Sequence, residues 1–212
     1  EAWEVERARL PSAPMRWVVA SVQPARAERL IEWLRGRGDR VTLLKHADLP
    51  LQVNVDEPGR VGIDRLLNAV AAASELREGE PAILVDAGSA VTVDYLDRHH
   101  VFQGGAIFPG LNLMARALHD YTALLPVVEV DRVVVIGKST ADAIRSGILH
   151  AVLGGIGALH AAYVVDGSMH PVTYFTGGDS ALLFREQGIR KNVQHWPEMT
   201  LTGILLAARG LP

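Results

Sequence analysis

Short apolar runs alternate with amphipathic segments over the first third of the chain. The run Arg16–Val22 is rich in β-branched residues and predicts a buried strand. Pro24 then opens an amphipathic segment that two glycines close, as expected of a helix. The elements predicted here are a strand over 16–22, a helix over 25–35, a strand over 41–44 and a helix over 63–76. Residues 1–10 alternate loosely and are compatible with a further strand. The order of strand, helix and strand indicates an α/β domain.

A second series of elements begins after Gly79 and Pro81, where we place a domain boundary between residues 1–79 and 80–212. Ser139 and Asp142 form an N-terminal capping pattern for the longest predicted helix. The pattern predicts strands over 82–85, 90–96, 101–107 and 171–175, an extended segment over 127–135, and helices over 111–118, 140–164, 180–187 and 200–209.

Composition excludes several classes of site and partner. The chain has 212 residues, about half of them apolar, so it can bury a substantial core. It has no cysteine, which rules out disulfides, thiolate metal sites and cysteine nucleophiles. A net charge of −3 gives no general attraction to nucleic acid or to an anionic membrane. No uninterrupted apolar stretch reaches the roughly 20 residues of a membrane span. We therefore expect a cytoplasmic protein with neither nucleic acid nor membrane as its partner.

Two short stretches carry the chemistry. In the first, Gly62-Ile63-Asp64-Arg65, an acid and a base stand at the start of an amphipathic helix. In the second, Asp86-Ala87-Gly88-Ser89, a carboxylate ends a buried strand and is followed by a glycine turn and a hydroxyl. Such a turn lets the backbone approach phosphate oxygens closely. Together the two stretches indicate phosphoryl transfer.

Asp64 is the candidate general base. It lies in the first turn of its helix, where the helix dipole stabilises an ionised carboxylate. In phosphoryl transfer such a group orients the attacking hydroxyl and accepts its proton. Taken alone, the position also fits a solvated aspartate or one paired with Arg65.

Six segments in order resemble the type III pantothenate kinases from about residue 17 to the end. They are Asp56-x-Pro58-x-x-Val61-Gly62-x-Asp64-Arg65 with Asn68-Ala69, Val85-Asp86-x-Gly88-Ser89-Ala90-x-Thr92-x-Asp94, Gly104-Gly105-x-Ile107-x-Pro109-Gly110, Leu125-Pro126, Gly137-Lys138-x-Thr140-x-x-Ala143-Ile144-x-x-Gly147, and Thr176-Gly177-Gly178. Any one of them alone is weak evidence, whereas their order makes the resemblance specific.

The resemblance implies an actin-like fold of two ribonuclease-H-like α/β domains, here with an incomplete first domain. It implies a homodimer that phosphorylates pantothenate with ATP and Mg²⁺, the first step of coenzyme A synthesis. A monovalent cation, K⁺ or NH₄⁺, is a further implied cofactor.

The resemblance also assigns roles to residues. Asp64 becomes the catalytic base, and Gly62, Ile63, Arg65 and Thr140 join it in binding substrate, with Thr140 reaching across the dimer. Asp86 would hold the cation. Gly88, Ser89, Gly177 and Gly178 would contact ATP, with Ser89 in place of the family's Thr. The plainer interpretations are that Arg65 is a surface arginine, that Asp86 only ends a strand, and that Thr140 only begins a helix.

One departure from the family pattern bears on activity. The family opens with a second phosphate-binding hairpin, Asp-x-Gly-Asn-Thr, which has no counterpart in this sequence. Because its strands would form the centre of the first sheet, we expect a preceding segment to carry it. The alternatives are a non-catalytic regulatory or accessory protein on the same scaffold, or a kinase for another small hydroxy substrate.

Overall fold

A computed structural model describes residues 13–164, 170–189 and 191–211. The possible strand over residues 1–10 lies outside these ranges. The described strands are β1 (Arg16–Val19), β2 (Arg40–Leu43), β3 (Ala82–Ala87), β4 (Ala90–Leu96), β5 (Phe102–Pro109), β6 (Val172–Thr176) and β7 (Val193–His195). The described helices are α1 (Pro24–Gly36), α2 (Ile63–Glu75), α3 (Leu111–Asp120), α4 (Thr140–Tyr163), α5 (Ser180–Glu186) and α6 (Met199–Arg209).

The strands form two sheets that lie on either side of Gly79 in the sequence. Strands β1 and β2 pair in parallel around α1. The second sheet has the order β5-β4-β3-β6-β7, in which β3, β4 and β5 are antiparallel neighbours and β6 and β7 run parallel to β3. The central strand β3 therefore ends at the same edge as β6, and the turns after both strands meet there.

A buried core packs against each face of the five-stranded sheet, and β3 divides its side chains between the two cores. Ala82 and Leu84 enter a core formed with α2 and α6. Ile83, Val85 and Ala87 enter a second core formed with α3, α4 and α5. This alternation puts the next residue of the first set, Asp86, on the α2 side of the sheet.

Helix α2 belongs to the first half of the sequence but packs against the second sheet. Its residues 66–72 are buried, and α6 crosses it closely. The approach depends on Gly203, because a Cβ at that position would collide with the carbonyl oxygen of Leu67. The packing fixes the first turn of α2 beside the edge of the five-stranded sheet.

Most predicted elements are confirmed, with two differences. The segment 127–135 pairs with no strand; instead Val128 and Val130 pack into the second core. Strand β7 was not predicted, because its three residues are too few to show a hydrophobic period. The cap of α4 is as expected, since Ser139 Oγ accepts a hydrogen bond from the Asp142 N–H at 3.1 Å.

Helix α4 is the only described helix long and apolar enough to cross a bilayer by length and composition. Ile148, Leu149 and Val152 pack in the second core, as in a core helix of a globular domain. The feature is therefore weak evidence for a membrane span.

Candidate active site

The first turn of α2 presents Asp64 at the edge of the sheet. Gly62 precedes the helix, and its carbonyl accepts the N–H of Arg65 at 3.1 Å. The same Arg65 N–H also donates to Asp64 Oδ1, at 2.9 Å. Asp64 is half-buried and lines a cavity of about 280 Å³, together with Ile63, Ser21 and Thr200. The carboxylate is thus oriented by the backbone and reachable from a cavity.

Arg65 turns toward a partner to which the sequence had assigned no role. Its Nε lies 3.1 and 3.0 Å from the two carboxylate oxygens of Asp94 on β4, and its Nη2 donates to Asp94 Oδ1 as well. The side chains of Arg65 and Asp94 are only 13% and 2% exposed. The expected open fork of Arg65 is therefore already engaged along one edge.

Charge and burial oppose each other within this pair. The hydrogen bonds to Asp94 raise the pKa of Arg65 further, so its guanidinium remains charged. Burial raises the pKa of Asp94, and the hydrogen bonds from Arg65 act in the opposite direction. Because breaking a buried pair leaves a charge without a partner, the two side chains depend on each other.

Asp86 ends β3 and is held by a chain of two hydrogen bonds. Asn68 Nδ2 donates to Asp86 Oδ2 at 3.0 Å, and Thr200 Oγ1 of α6 donates to Asn68 Oδ1 at 2.7 Å. Burial raises the pKa of Asp86, the hydrogen bond from Asn68 lowers it, and the nearby charge of Asp64 raises it.

Asp64, Asp86 and Asp94 form what we call the carboxylate cluster. Asp86 pairs with Thr92 across the strands and Asp94 pairs with Leu84, so both carboxylates lie on the α2 face as diagonal neighbours. The charge of Asp64 raises the pKa of both. The buried hydroxyl of Thr92 lies on the same face, and its hydrogen bond with Asp94 lowers the pKa of that carboxyl.

A second site lies where the turns after β3 and β6 meet. Gly88, Ser89, Gly178 and Asp179 line a cavity of about 460 Å³ with Asn112 and Arg116 of α3, and we call this the glycine cradle. The Asp179 N–H donates to the Ala87 carbonyl at 2.9 Å and joins the two turns. Burial raises the pKa of Asp179.

The glycines of the two turns that form the cradle, Gly88, Gly177 and Gly178, differ in what surrounds them. Gly177 has φ +94°, and a Cβ there would lie 2.5 Å from both Ala87 O and Asp86 Oδ1. A Cβ at Gly178 would meet no atom within 4 Å, and one at Gly88 would meet only Ala90 O at 3.8 Å. Gly177 therefore shapes the turn, whereas Gly88 and Gly178 face open space.

Thr140 is placed apart from the other predicted residues. It is exposed at the start of α4 and lines an apolar groove of about 750 Å³ with Leu113 and Met114 of α3. The cavities that contain Asp64 and the glycine cradle do not include it. Within one chain the structure thus brings together every predicted site residue except Thr140, in two adjacent sites.

Several polar residues of these sites were not given roles from the sequence. They are Asn68, Asp94, Asn112, Arg116, Asp179 and Thr200. The sequence contained a signal for Asp94: it lies two residues after Thr92 on an alternating strand, so both polar side chains are expected on the same face of the sheet. The contribution of Thr200 comes from a helix more than 130 residues beyond Asn68 and had none. Within the described ranges, no group of three or more His, Asp and Glu side chains is arranged to hold a metal ion.

Comparisons with known proteins agree on a family. The family model of type III pantothenate kinase matches residues 2–162. A type III pantothenate kinase of Akkermansia muciniphila is 36% identical over 194 residues, which cover 90% of this chain and 77% of the relative. One of Persephonella marina is 36% identical over 140 residues, covering 66% of this chain and 54% of the relative. The chain thus aligns with between about half and three quarters of each relative's length.

Among solved structures, a Campylobacter jejuni protein described as a Baf family transcriptional activator matches with a TM-score of 0.62. The match covers 97% of this chain and 87% of that one at 20% identity, so it supports the fold alone. The family match and the curated relatives show that the chain belongs to the type III pantothenate kinase family.

Proposed function

We propose that this chain catalyses the ATP-dependent phosphorylation of pantothenate to 4′-phosphopantothenate, the first step of coenzyme A biosynthesis. The observation that carries the proposal is the pairing of two sites at one sheet edge. Asp64 stands at a helix start beside a buried cluster of charges. The glycine cradle, open and lined by an arginine, lies at the turns after β3 and β6.

The cradle fits a nucleoside triphosphate. The open Cα faces of Gly88 and Gly178 allow phosphates or a ribose to approach the backbone, and Ser89 is exposed with its hydroxyl available. Arg116 supplies positive charge on the same cavity. Gly177 contributes the shape of the turn that presents Gly178. Mg²⁺ usually binds one or two carboxylates and the phosphates themselves, so a dedicated cluster of protein ligands is not required.

In the proposed reaction Asp64 orients the attacking hydroxyl of pantothenate and accepts its proton as the new P–O bond forms. Bound ATP supplies the γ-phosphoryl group and ADP leaves. The Arg65 N–H fixes Asp64 Oδ1, and we assign Oδ2 to the substrate hydroxyl. Arg65 attracts the substrate carboxylate, while Gly62 and Ile63 form the wall on which the substrate lies.

We assign Asp86 to a monovalent cation, K⁺ or NH₄⁺, near the phosphates. Its Oδ2 is oriented by Asn68, and Thr92 lies opposite Asp86 on the neighbouring strand with its hydroxyl on the same face. Carboxylate and hydroxyl oxygens are hard ligands of the kind that hard cations prefer.

The architecture proposed with this function is an actin-like pair of ribonuclease-H-like domains, residues 1–79 and 80–212, in a cytoplasmic homodimer. In the five-stranded sheet, the antiparallel neighbours β4 and β5 lie on one side of β3 and the parallel strands β6 and β7 lie on the other. This order supports the assignment for the second domain. The apolar groove between α3 and α4, with exposed Leu113 and Tyr121 nearby, supports burial against a second copy. Thr140 would then face the partner's cleft.

The test is a coupled ADP-release assay on the full chain with ATP and Mg²⁺, with and without pantothenate, in potassium and then sodium buffer. Pantothenate-dependent release supports the activity, and stimulation by potassium supports the cation site. A folded dimer that releases no ADP would contradict the proposal and favour a non-catalytic role for the scaffold.

A further inference from the structure

We infer that Asp94 is a positioning residue for substrate recognition: it holds Arg65 so that one end of the guanidinium reads the carboxylate of pantothenate. The inference rests on the proposed function and adds a residue and a geometry to it. It starts from the contact between α2 and β4, which joins a helix start to the centre of a strand.

The hydrogen bonds show which part of Arg65 is committed. Nε contacts both carboxylate oxygens of Asp94, and Nη2 contacts one of them. No described residue accepts a hydrogen bond from Nη1. Because the guanidinium is planar and rigid, fixing one edge of it also fixes the direction of the Nη1 donors. Arg65 is thus prepared to make an end-on contact with an anion.

The surroundings keep the pair in this arrangement. Asp94 is almost fully buried, and a Cβ at Gly105 on β5 would lie 2.6 Å from Asp94 Oδ1, so the glycine leaves room for the carboxylate. The guanidinium carbon of Arg65 also lies 5.7 Å from the centre of the Phe102 ring, a favourable cation–π distance. Asp94 and Phe102 therefore restrict the rotamers of Arg65, and Gly105 leaves room for the Asp94 carboxylate that holds it.

The function of such an arrangement follows from charge and entropy. A long arginine side chain that is already ordered loses less conformational freedom when it binds an anion. A donor held in a partly buried site also discriminates strongly against a ligand that lacks the matching acceptor, because the donor is then left unpaired. Asp94 would therefore act on the choice between carboxylate and neutral substrates rather than on phosphoryl transfer.

The experiment compares pantothenate with pantothenol, in which a neutral –CH₂OH group replaces the carboxylate, as substrates of the parent chain and of Asp94→Asn. The ratio of their kcat/KM values cancels any loss of folded enzyme. We expect Asp94→Asn to reduce the preference for pantothenate by roughly tenfold or more, through KM, with the KM for ATP unchanged.

Asp97→Asn is the matched control on the same hairpin. Asp97 accepts hydrogen bonds from the His99 and Val101 N–H groups and from Gln103, so its replacement perturbs the turn without touching Arg65. The substrate preference of this variant should equal that of the parent.

A second measurement needs no variant to fold. In the parent, the Nε–H proton of Arg65, observed by ¹⁵N NMR, should exchange slowly with solvent both before and after pantothenate is added. An unchanged preference in folded Asp94→Asn, or loss of the Nε–H protection on binding pantothenate, overturns the inference while the kinase activity stands. A parent that phosphorylates neither compound overturns the proposed function, and this inference with it.

Discussion

The carboxylate cluster and the glycine cradle lie at the same edge of the five-stranded sheet but are built differently. The cluster consists of buried and half-buried carboxylates from α2, β3 and β4, of which Asp86 and Asp94 are held by side-chain hydrogen bonds and Asp64 by a backbone N–H. The cradle is formed by two backbone turns in which Gly88 and Gly178 face open space. Substitutions that remove a charge should therefore have the larger effects in the cluster, and substitutions that add atoms to a glycine should have the larger effects in the cradle.

The largest effect is expected within the cluster. Asp64→Asn removes the proton acceptor while keeping the size of the side chain and its hydrogen bond to the Arg65 N–H. We expect kcat to fall about 100- to 10,000-fold, the usual range for loss of a general base. The coupled ADP-release assay measures this.

Asp48→Asn is a suitable control for that variant. Asp48 ends the short helical turn His46–Asp48 outside both sites, and it also accepts a backbone N–H, from Lys45 at 2.7 Å. Its replacement should leave kcat unchanged. Normal turnover by well-folded Asp64→Asn would show that Asp64 is not the base.

Substitutions at the neighbouring glycines Gly177 and Gly178 test two properties of the cradle: the backbone conformation of its turn and the open space beside it. Gly177→Ala forces a side chain into a left-handed conformation and against Ala87 O, so we expect a loss of roughly 1–3 kcal/mol in the free energy of unfolding. Gly178→Ala adds its methyl group to open space and should leave stability unchanged while raising the KM for ATP severalfold. Urea unfolding and ATP titrations measure the two effects.

Similar unfolding curves for Gly177→Ala and Gly178→Ala would contradict the inference that Gly177 shapes the turn while Gly178 faces open space. An unchanged KM for ATP in Gly178→Ala would show that nucleotide does not lie against this turn.

A smaller effect concerns pH. Burial raises the pKa of Asp86 above its value in the unfolded chain. The stability that its protonation provides is therefore complete below the unfolded pKa and is lost as pH rises through the folded pKa. Relative to the parent, Asp86→Asn should become progressively more stable as the pH rises from below the unfolded pKa of an aspartate through the raised folded pKa of Asp86, although activity is lost. Urea unfolding across this range tests the sign.

Asp97 provides the opposite case. Burial raises its pKa, but hydrogen bonds from Val101, His99 and Gln103 lower it more, and the net shift is downward. Its stabilising effect is present above the unfolded pKa and lost as pH falls through the folded one. Asp97→Asn should thus be less stable than the parent at neutral pH, and this difference should shrink in acid. The same sign for both variants would refute the assignment of buried charge to Asp86.

The smallest effect is expected at the rim of the cradle. Ser89 is exposed, so Ser89→Ala should leave the unfolding curve unchanged. Loss of one hydroxyl contact to phosphate should raise the KM for ATP a few-fold, in line with about 1 kcal/mol for a hydrogen bond. Ser89→Thr, which keeps the hydroxyl, should retain the KM of the parent.

The elements of the chain could largely be predicted from the sequence because their periods are local. Helix α2 shows a clear apolar stripe, and α4 begins at its predicted cap. The failures occurred where local pattern carries little information. Strand β7 is too short for a period, and residues 127–135 have the β-branched composition of a strand, yet Val128 and Val130 are buried by packing in the second core rather than by strand pairing.

The sequence by itself determined the family, the order of the motifs and the identity of Asp64 and Asp86 as chemically distinctive residues. These depend on residue type and spacing, which are written in the chain. Only the tertiary structure decided the partners: Asp94 for Arg65, Asn68 and Thr200 for Asp86, and the separation of Thr140 from Asp64. Pairing across 29 or 132 positions depends on strand register and helix packing, and no local pattern encodes those distances.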